Sequence, residues 1–201
     1  MKIIGITGRS GCGKSSVTRF LAQQGYPCVD ADELARKVLL PGSPCLNQLK
    51  NIFGSDIVES DGTVRRRLLA DRAFATPQGT AQLTAITHPE ILRRLEAQIA
   101  AARAAGERLF FVDGAVIVGS PFQASCDRLV VVTAPYESSV QRIALRDGIT
   151  PEMARRRLDA QPPEQTLCAA ADTVLVNDGT PQDLLTKCRA LLDALRKEEN
   201  A

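Results

Sequence analysis

Gly8-Arg9-Ser10-Gly11-Cys12-Gly13-Lys14-Ser15 fills every fixed position of the pattern G-x-x-x-x-G-K-[ST]. Glycine lets such a loop turn tightly and bring successive backbone N–H groups to bear on a phosphate. Lys14 then reaches the terminal phosphates, and the Ser15 hydroxyl takes a place on Mg²⁺. The flanks suit the motif. Lys2-Ile3-Ile4-Gly5-Ile6-Thr7 is a short apolar run rich in β-branched residues, which predicts a strand. Val17, Phe20 and Leu21 fall at i, i+3 and i+4, one face of a helix. A glycine-rich surface turn, the bland reading, requires neither flank.

Working outward, Gly25 closes the first helix, and Tyr26-Pro27-Cys28-Val29-Asp30 reads as a second strand. A helical pattern opens at Asp30-Ala31-Asp32-Glu33, with Leu34, Val38 and Leu39 on one face, and Pro41-Gly42-Ser43-Pro44 breaks it. Residues 45–105 are mostly helical in pattern. Leu46, Leu49, Ile52 and Phe53 share one face, Ile91, Leu92, Leu95 and Ile99 another, and Asp61-Gly62 marks a turn. Leu109–Asp113 and Arg128–Thr133 are nearly continuous apolar runs, as parallel strands covered on both faces should be. Thr173–Val176 is a fifth strand, and a last helix spans roughly 181–197. Strands alternating with helices predict an α/β fold with a doubly wound, five-stranded parallel sheet. Residues 1–32 and 107–201 form its nucleotide-binding core. Residues 33–106 form a helical insert that takes the substrate.

Composition bounds the rest. The chain has 201 residues and a net charge of +2, too small a balance to argue for nucleic acid or membrane as a partner. Six cysteines occur without a C-x-x-C pair, and His88 is the lone histidine, so a zinc site is not expected. Scattered thiols without a secretory leader suit a reducing cytoplasm, and no run of residues is long enough to span a bilayer. The expected partner is a small molecule, and the chain itself a monomer or weak homo-oligomer.

With these pieces in order, the sequence resembles the dephospho-coenzyme A kinases along nearly its whole length. Besides the loop, the segments that carry the likeness are Asp30-Ala31-Asp32-Glu33-Leu34-Ala35-Arg36, Pro41-Gly42, Phe53-Gly54, Asp61-Gly62 with Arg66, His88-Pro89, Arg142 with Arg146-Asp147, Gln161, Ala171-Asp172, and Asn177 with Gly179. The D-A-D-x-x-A-R segment after the second strand is more specific than the loop. The resemblance implies the P-loop kinase fold with a mobile lid, within about 138–165, and transfer of the ATP γ-phosphoryl to the ribose 3′-hydroxyl of dephospho-CoA, the last step of coenzyme A synthesis. One segment departs. Where the family usually carries Pro-Leu-Leu-Phe-Glu, this chain reads Ala115-Val116-Ile117-Val118-Gly119, apolar but without the proline or the acid. The loop interior is Arg9-Ser10 where the family often has Gly-Ile.

The chemistry assigns expected roles. The loop from Gly8 to Lys14, with Ser15 and Ser16, binds ATP, and Lys14 adds charge toward the transition state. Asp32, at the carboxyl end of a strand, aligns the acceptor hydroxyl and takes its proton; its bland reading is a helix cap. Asp30 is structural or lies behind the magnesium. Arg36, four residues on, grips a substrate phosphate, as does Arg66 of the Arg65-Arg66-Arg67 run; otherwise both are solvated. Asp113 ends its strand as a Mg²⁺-holding carboxylate does, or merely sits in a turn with Gly114. Arg142 and Arg146 share a helix face and neutralise charge on the moving phosphoryl from the lid, whereas Arg155 and Arg156 serve solubility. Asn177 lies in a loop that touches adenine. His88 receives no catalytic role. Competing readings are another nucleoside or small-molecule kinase of this fold, a nucleotide-binding protein that has lost its chemistry, and a GTP switch. The last lacks an N-K-x-D loop, and Asp113-Gly114-Ala115-Val116 fails the switch pattern D-x-x-G.

Overall fold

The computed structural model describes residues 1–115 and 117–199. Its contacts divide the chain into two units, Met1–Val29 with Ala102–Ala201, and Asp30–Ala101.

The first unit is built on a sheet of five strands in the order β2-β3-β1-β4-β5: β1 is Lys2–Thr7, β2 Cys28–Asp30, β3 Leu109–Asp113, β4 Arg128–Thr133 and β5 Thr173–Val176. β1 pairs in parallel with β3 on one side and β4 on the other, and β4 in parallel with β5. β3 is buried at every position and β1 and β4 at all but their first, which is why these strands read as unbroken apolar runs. β5 is an edge strand and exposes Val174 and Val176. Two aspartates fix register at the strand entries. Asp127 accepts from Ile3 N–H at 2.6 Å, and Asp172 from Leu129 N–H at 2.7 Å.

Helix α1 (Lys14–Gln23) turns Val17, Phe20 and Leu21 inward. It meets the last helix, α9 (Pro181–Glu199), in one cluster with Ile4, Ile6, Phe111, Val130, Leu184, Leu192 and Leu195. Each fully buried aliphatic side chain here is worth about 1.5–3 kcal/mol of transfer free energy. Between β4 and β5 lie α6 (Tyr136–Asp147), α7 (Pro151–Asp159) and α8 (Glu164–Ala169). α6 and α7 form a hairpin with its own small core of Val140, Ile143, Ala154 and Leu158. α8 had no clear signature in the sequence. The segment after β3 tucks Ile117 against Leu129, Val131 and Leu167, while Val116, part of the departure from the family pattern, falls outside the described residues.

The second unit holds α2 (Ala31–Lys37), α3 (Cys45–Phe53), α4 (Arg66–Ala73) and most of α5 (Pro77–Ala104). Leu46, Leu49, Phe53, Ile57, Val64 and Leu69 form its core. Ile52, expected on the face of Leu49, is 44% exposed. Cys45, Leu46, Leu49 and Phe53 set the buried stripe of α3, and Ile52 falls at its solvent edge. The Asp61-Gly62 turn joins an antiparallel bridge between Val58 and Val64. α5 runs unbroken through Pro89, so His88 lies mid-helix and starts none.

Candidate active site

The phosphate loop joins β1 to α1, and two of its glycines are required by their surroundings. At Gly11 (φ 77°) a Cβ would stand 2.5 Å from the Ser139 carbonyl oxygen of α6. At Gly13 (φ 100°) it would stand 2.3 Å from Asn177 Nδ2. The α1 N-terminus begins at Lys14, directly after this bend, and no side chain caps it, so its dipole faces the loop. Gly8 is buried, and Ser15 and Ser16 are exposed in the first turn.

Lys14 Nζ forms an ion pair with Asp113 Oδ1. Asp113 is the last residue of β3 and is buried, so the strand, rather than a turn with Gly114, fixes it beside the loop lysine. Asn177 is buried just past β5, and its amide donates to the Cys12 carbonyl at 2.8 Å. The loop expected to touch adenine thus also carries a side chain that spends one amide hydrogen on the phosphate loop's backbone. Cys12 is buried, and burial pushes its thiol up from the usual cysteine value, against the pull of Lys14 and Arg142.

The loop is also held from α6, α7 and the chain beyond. Arg142 donates to the Gly11 carbonyl at 3.1 Å. The Arg9 guanidinium donates to the Leu158 carbonyl, and Ser10 exchanges two hydrogen bonds with the Gln161 amide. Arg146, one turn beyond Arg142, is not brought to the loop. Its guanidinium forks onto Asp147 at 2.7 and 3.1 Å, and Arg157 joins the same carboxylate at 2.8 Å. That pairing holds the Asp147 carboxyl below the usual carboxylate range. Arg155 and Arg156 are exposed and paired with Glu137 and Glu152.

In the second unit, Asp30 is the N-cap of α2 and accepts from Glu33 N–H at 2.9 Å. Capping therefore belongs to Asp30, and the bland reading of Asp32 as the cap is corrected. Asp32 lies half-buried in the first turn. Arg36 is exposed, with its guanidinium 3.7 Å from Asp30 Oδ2. Arg66 opens α4 and is exposed, while Arg65 beside it is clamped by Glu59 at 2.5 and 2.7 Å.

No motif or spacing in the sequence gives a role to Gln161, to the Leu158 carbonyl or to the brace from Asn177. Gln161 had a trace in the sequence, as one of the residues carrying the resemblance. A main-chain carbonyl has none.

Comparison with known proteins agrees with this geometry. A family model described as dephospho-CoA kinase matches residues 2–183. A dephospho-CoA kinase of Corynebacterium glutamicum is 36% identical over 197 residues, 98% of each chain. The crystal structure of TT1252 from Thermus thermophilus superposes with a TM-score of 0.83 at 32% identity, covering 96% of this chain and 97% of that one. A dephospho-CoA kinase from Campylobacter jejuni shares the fold, with a TM-score of 0.64 at 23% identity over 96% of this chain and 97% of its own. A phosphate loop braced on a five-stranded parallel sheet, matched over nearly the full length at this identity, makes the chain a member of the dephospho-CoA kinase family.

Proposed function

We propose that this protein transfers the γ-phosphoryl group of ATP to the ribose 3′-hydroxyl of dephospho-CoA, giving coenzyme A and ADP, the last step of coenzyme A synthesis. The observation that carries the reading is the loop lysine held on a buried strand-end aspartate beside an open helix N-terminus, in a chain of this family. Phosphoryl transfer needs positioned charge more than covalent chemistry. The loop N–H groups and Lys14 cradle the ATP phosphates, and Lys14 follows charge onto the bridging and terminal oxygens as the bond breaks.

The Ser15 hydroxyl and the Asp113 carboxylate are hard oxygen donors of the kind Mg²⁺ takes, and they would hold that ion, which supplies charge neutralisation to the phosphates when bound. Asp32 orients the acceptor hydroxyl and receives its proton. Arg36 and Arg66 bind phosphates of dephospho-CoA from the helical domain of residues 33–106. Arg142 and Arg146 act from a lid within about 138–165 that excludes water, a competing acceptor. For Arg146 this requires exchange of Asp147 for substrate oxygens. Asn177 serves nucleotide binding through Cys12. Among the described residues no helix is long and apolar enough to cross a membrane. A cytoplasmic monomer or weak homo-oligomer, with no nucleic-acid or membrane partner, fits the balanced charge and free thiols.

A coupled ADP-release assay tests the function across dephospho-CoA, adenosine, AMP, CMP and pantothenate. Mg²⁺-dependent turnover is expected with dephospho-CoA alone. Turnover on another acceptor, with none on dephospho-CoA, would overturn the assignment.

A further inference from the structure

The phosphate loop is bound along its outer bend by the chain that returns from α7. Ser10 N–H donates to Gln161 Oε1 at 2.8 Å, and Gln161 Nε2 donates to Ser10 Oγ at 2.6 Å. One amide side chain thus satisfies a main-chain donor and a hydroxyl of the same loop residue. Beside it, the Arg9 guanidinium donates to the Leu158 carbonyl. That carbonyl lies in the last turn of α7, where it also accepts from Gln161 N–H at 3.1 Å and carries the partial negative charge of a helix C-terminus, so a cation suits it. Its own side chain is 1% exposed in the hairpin core, which makes it a firm anchor. Gln161 is followed by Pro162-Pro163, which restricts its backbone to extended conformations. Both sides of the contact are therefore stiff, while the loop between Gly8 and Gly13 is rich in the residue that loses most entropy on ordering.

We propose that Gln161 and Arg9 are positioning residues that hold the phosphate loop in its nucleotide-binding shape before ATP arrives. Ordering a glycine-rich loop at the moment of binding subtracts from affinity, and a clamp present in the free protein removes that cost. The clamp also ties the foot of the α6–α7 hairpin to the loop, so the hairpin arginines move about a point fixed on the nucleotide site. The inference rests on the nucleotide half of the function proposed above, and not on the identity of the acceptor.

The test is ATP binding by calorimetry, with Mg²⁺ and without acceptor, for the whole chain and its Gln161→Leu, Ser10→Ala and doubly substituted forms. Gln161→Leu keeps volume and removes both hydrogen bonds. Its dissociation constant and KM for ATP are expected to rise roughly ten-fold, with kcat changed less and the melting temperature nearly kept. Ser10→Ala, which deletes one hydroxyl, is expected to weaken binding roughly three-fold. The double variant should bind no more weakly than Gln161→Leu alone, because the two share one contact. Unchanged affinity in a folded Gln161→Leu protein, or additive losses in the double variant, would overturn the proposal. Tighter binding would also overturn it, by making the contact a latch that opposes nucleotide. If Gln161→Leu does not fold, Ser10→Ala decides, and unchanged affinity there overturns it. A wild-type protein that binds ATP but ignores dephospho-CoA would sink the acceptor assignment and leave this result standing.

Discussion

At the scale of single residues, the Lys14–Asp113 ion pair ties the proposed role of the loop lysine to stability. From sequence, Lys14 is a cleft residue whose loss should leave the fold alone. The structure gives it a buried partner: the Asp113 side chain is 9% exposed and that of Lys14 18%. Removing the lysine strands a carboxylate that water barely reaches, at a cost of about 3–5 kcal/mol. Lys14→Ala is therefore expected to lower kcat by about 10²–10³ and to lower the denaturant midpoint as well. Adding Asp113→Asn should recover midpoint and not rate. A Lys14→Ala protein as stable as wild type in urea would contradict the pairing. Asp32 differs, because Asp30 already caps α2. Asp32→Asn should keep ATP affinity and melting temperature while kcat for dephospho-CoA falls by about 10²–10⁴. Unchanged turnover would remove it from the reaction. These roles divide by legibility. The loop lysine and the strand-end acid stand out in sequence because motif and strand pattern mark them. Which of the two aspartates capped the helix required the Glu33 N–H to be placed.

At the scale of elements, most strands and helices were readable because burial imposes their period. β3 and β4 are apolar throughout, and α9 repeats leucine at helical spacing. The braces on the loop were not readable. Asn177 reaches Cys12 across 165 residues of chain, and Gln161 reaches Ser10 across 151. No local pattern records a contact between one side chain and one distant main-chain atom. The Asn177 brace makes a sharp prediction, since its Nδ2 donates to a carbonyl that can only accept. Asn177→Ala loses the bond and leaves space. Asn177→Asp points an acceptor at an acceptor next to the phosphate site, with a negative charge besides. Both should raise the dissociation constant for ATP, and the aspartate form should be the weaker of the two by roughly ten-fold. Equal affinities, measured by nucleotide titration, would show that the side chain does not shape the loop.

At the scale of the whole molecule, the charges that balance to a net +2 form local arginine–carboxylate pairs in both units. Sequence shows the balance and not the pairing, because Arg72 finds Asp56 and Arg128 finds Glu198 only after folding. The pairing sets the direction of acid stability. Asp56, Asp147, Asp178 and Glu198 all have carboxyls held below their ordinary values by hydrogen-bonded arginine or lysine. Glu90 is the extreme case. It sits on α5 with Arg93 and Arg94 both on its carboxylate at 2.7 Å, and they bring it down to about 2. A carboxyl whose folded pKa lies below its unfolded value stabilises the fold above the unfolded value, near 4.3. That contribution fades as pH falls toward the folded value. The thermal midpoint is therefore expected to change little from carboxyl titration between pH 7 and about 5, then to drop between about 4.5 and 2. Glu90→Gln should lower the midpoint at pH 7, and its difference from wild type should shrink steadily across the acid window. A difference that stays constant from pH 7 to 3 would mean that the Glu90 charge contributes nothing, leaving only its packing in α5.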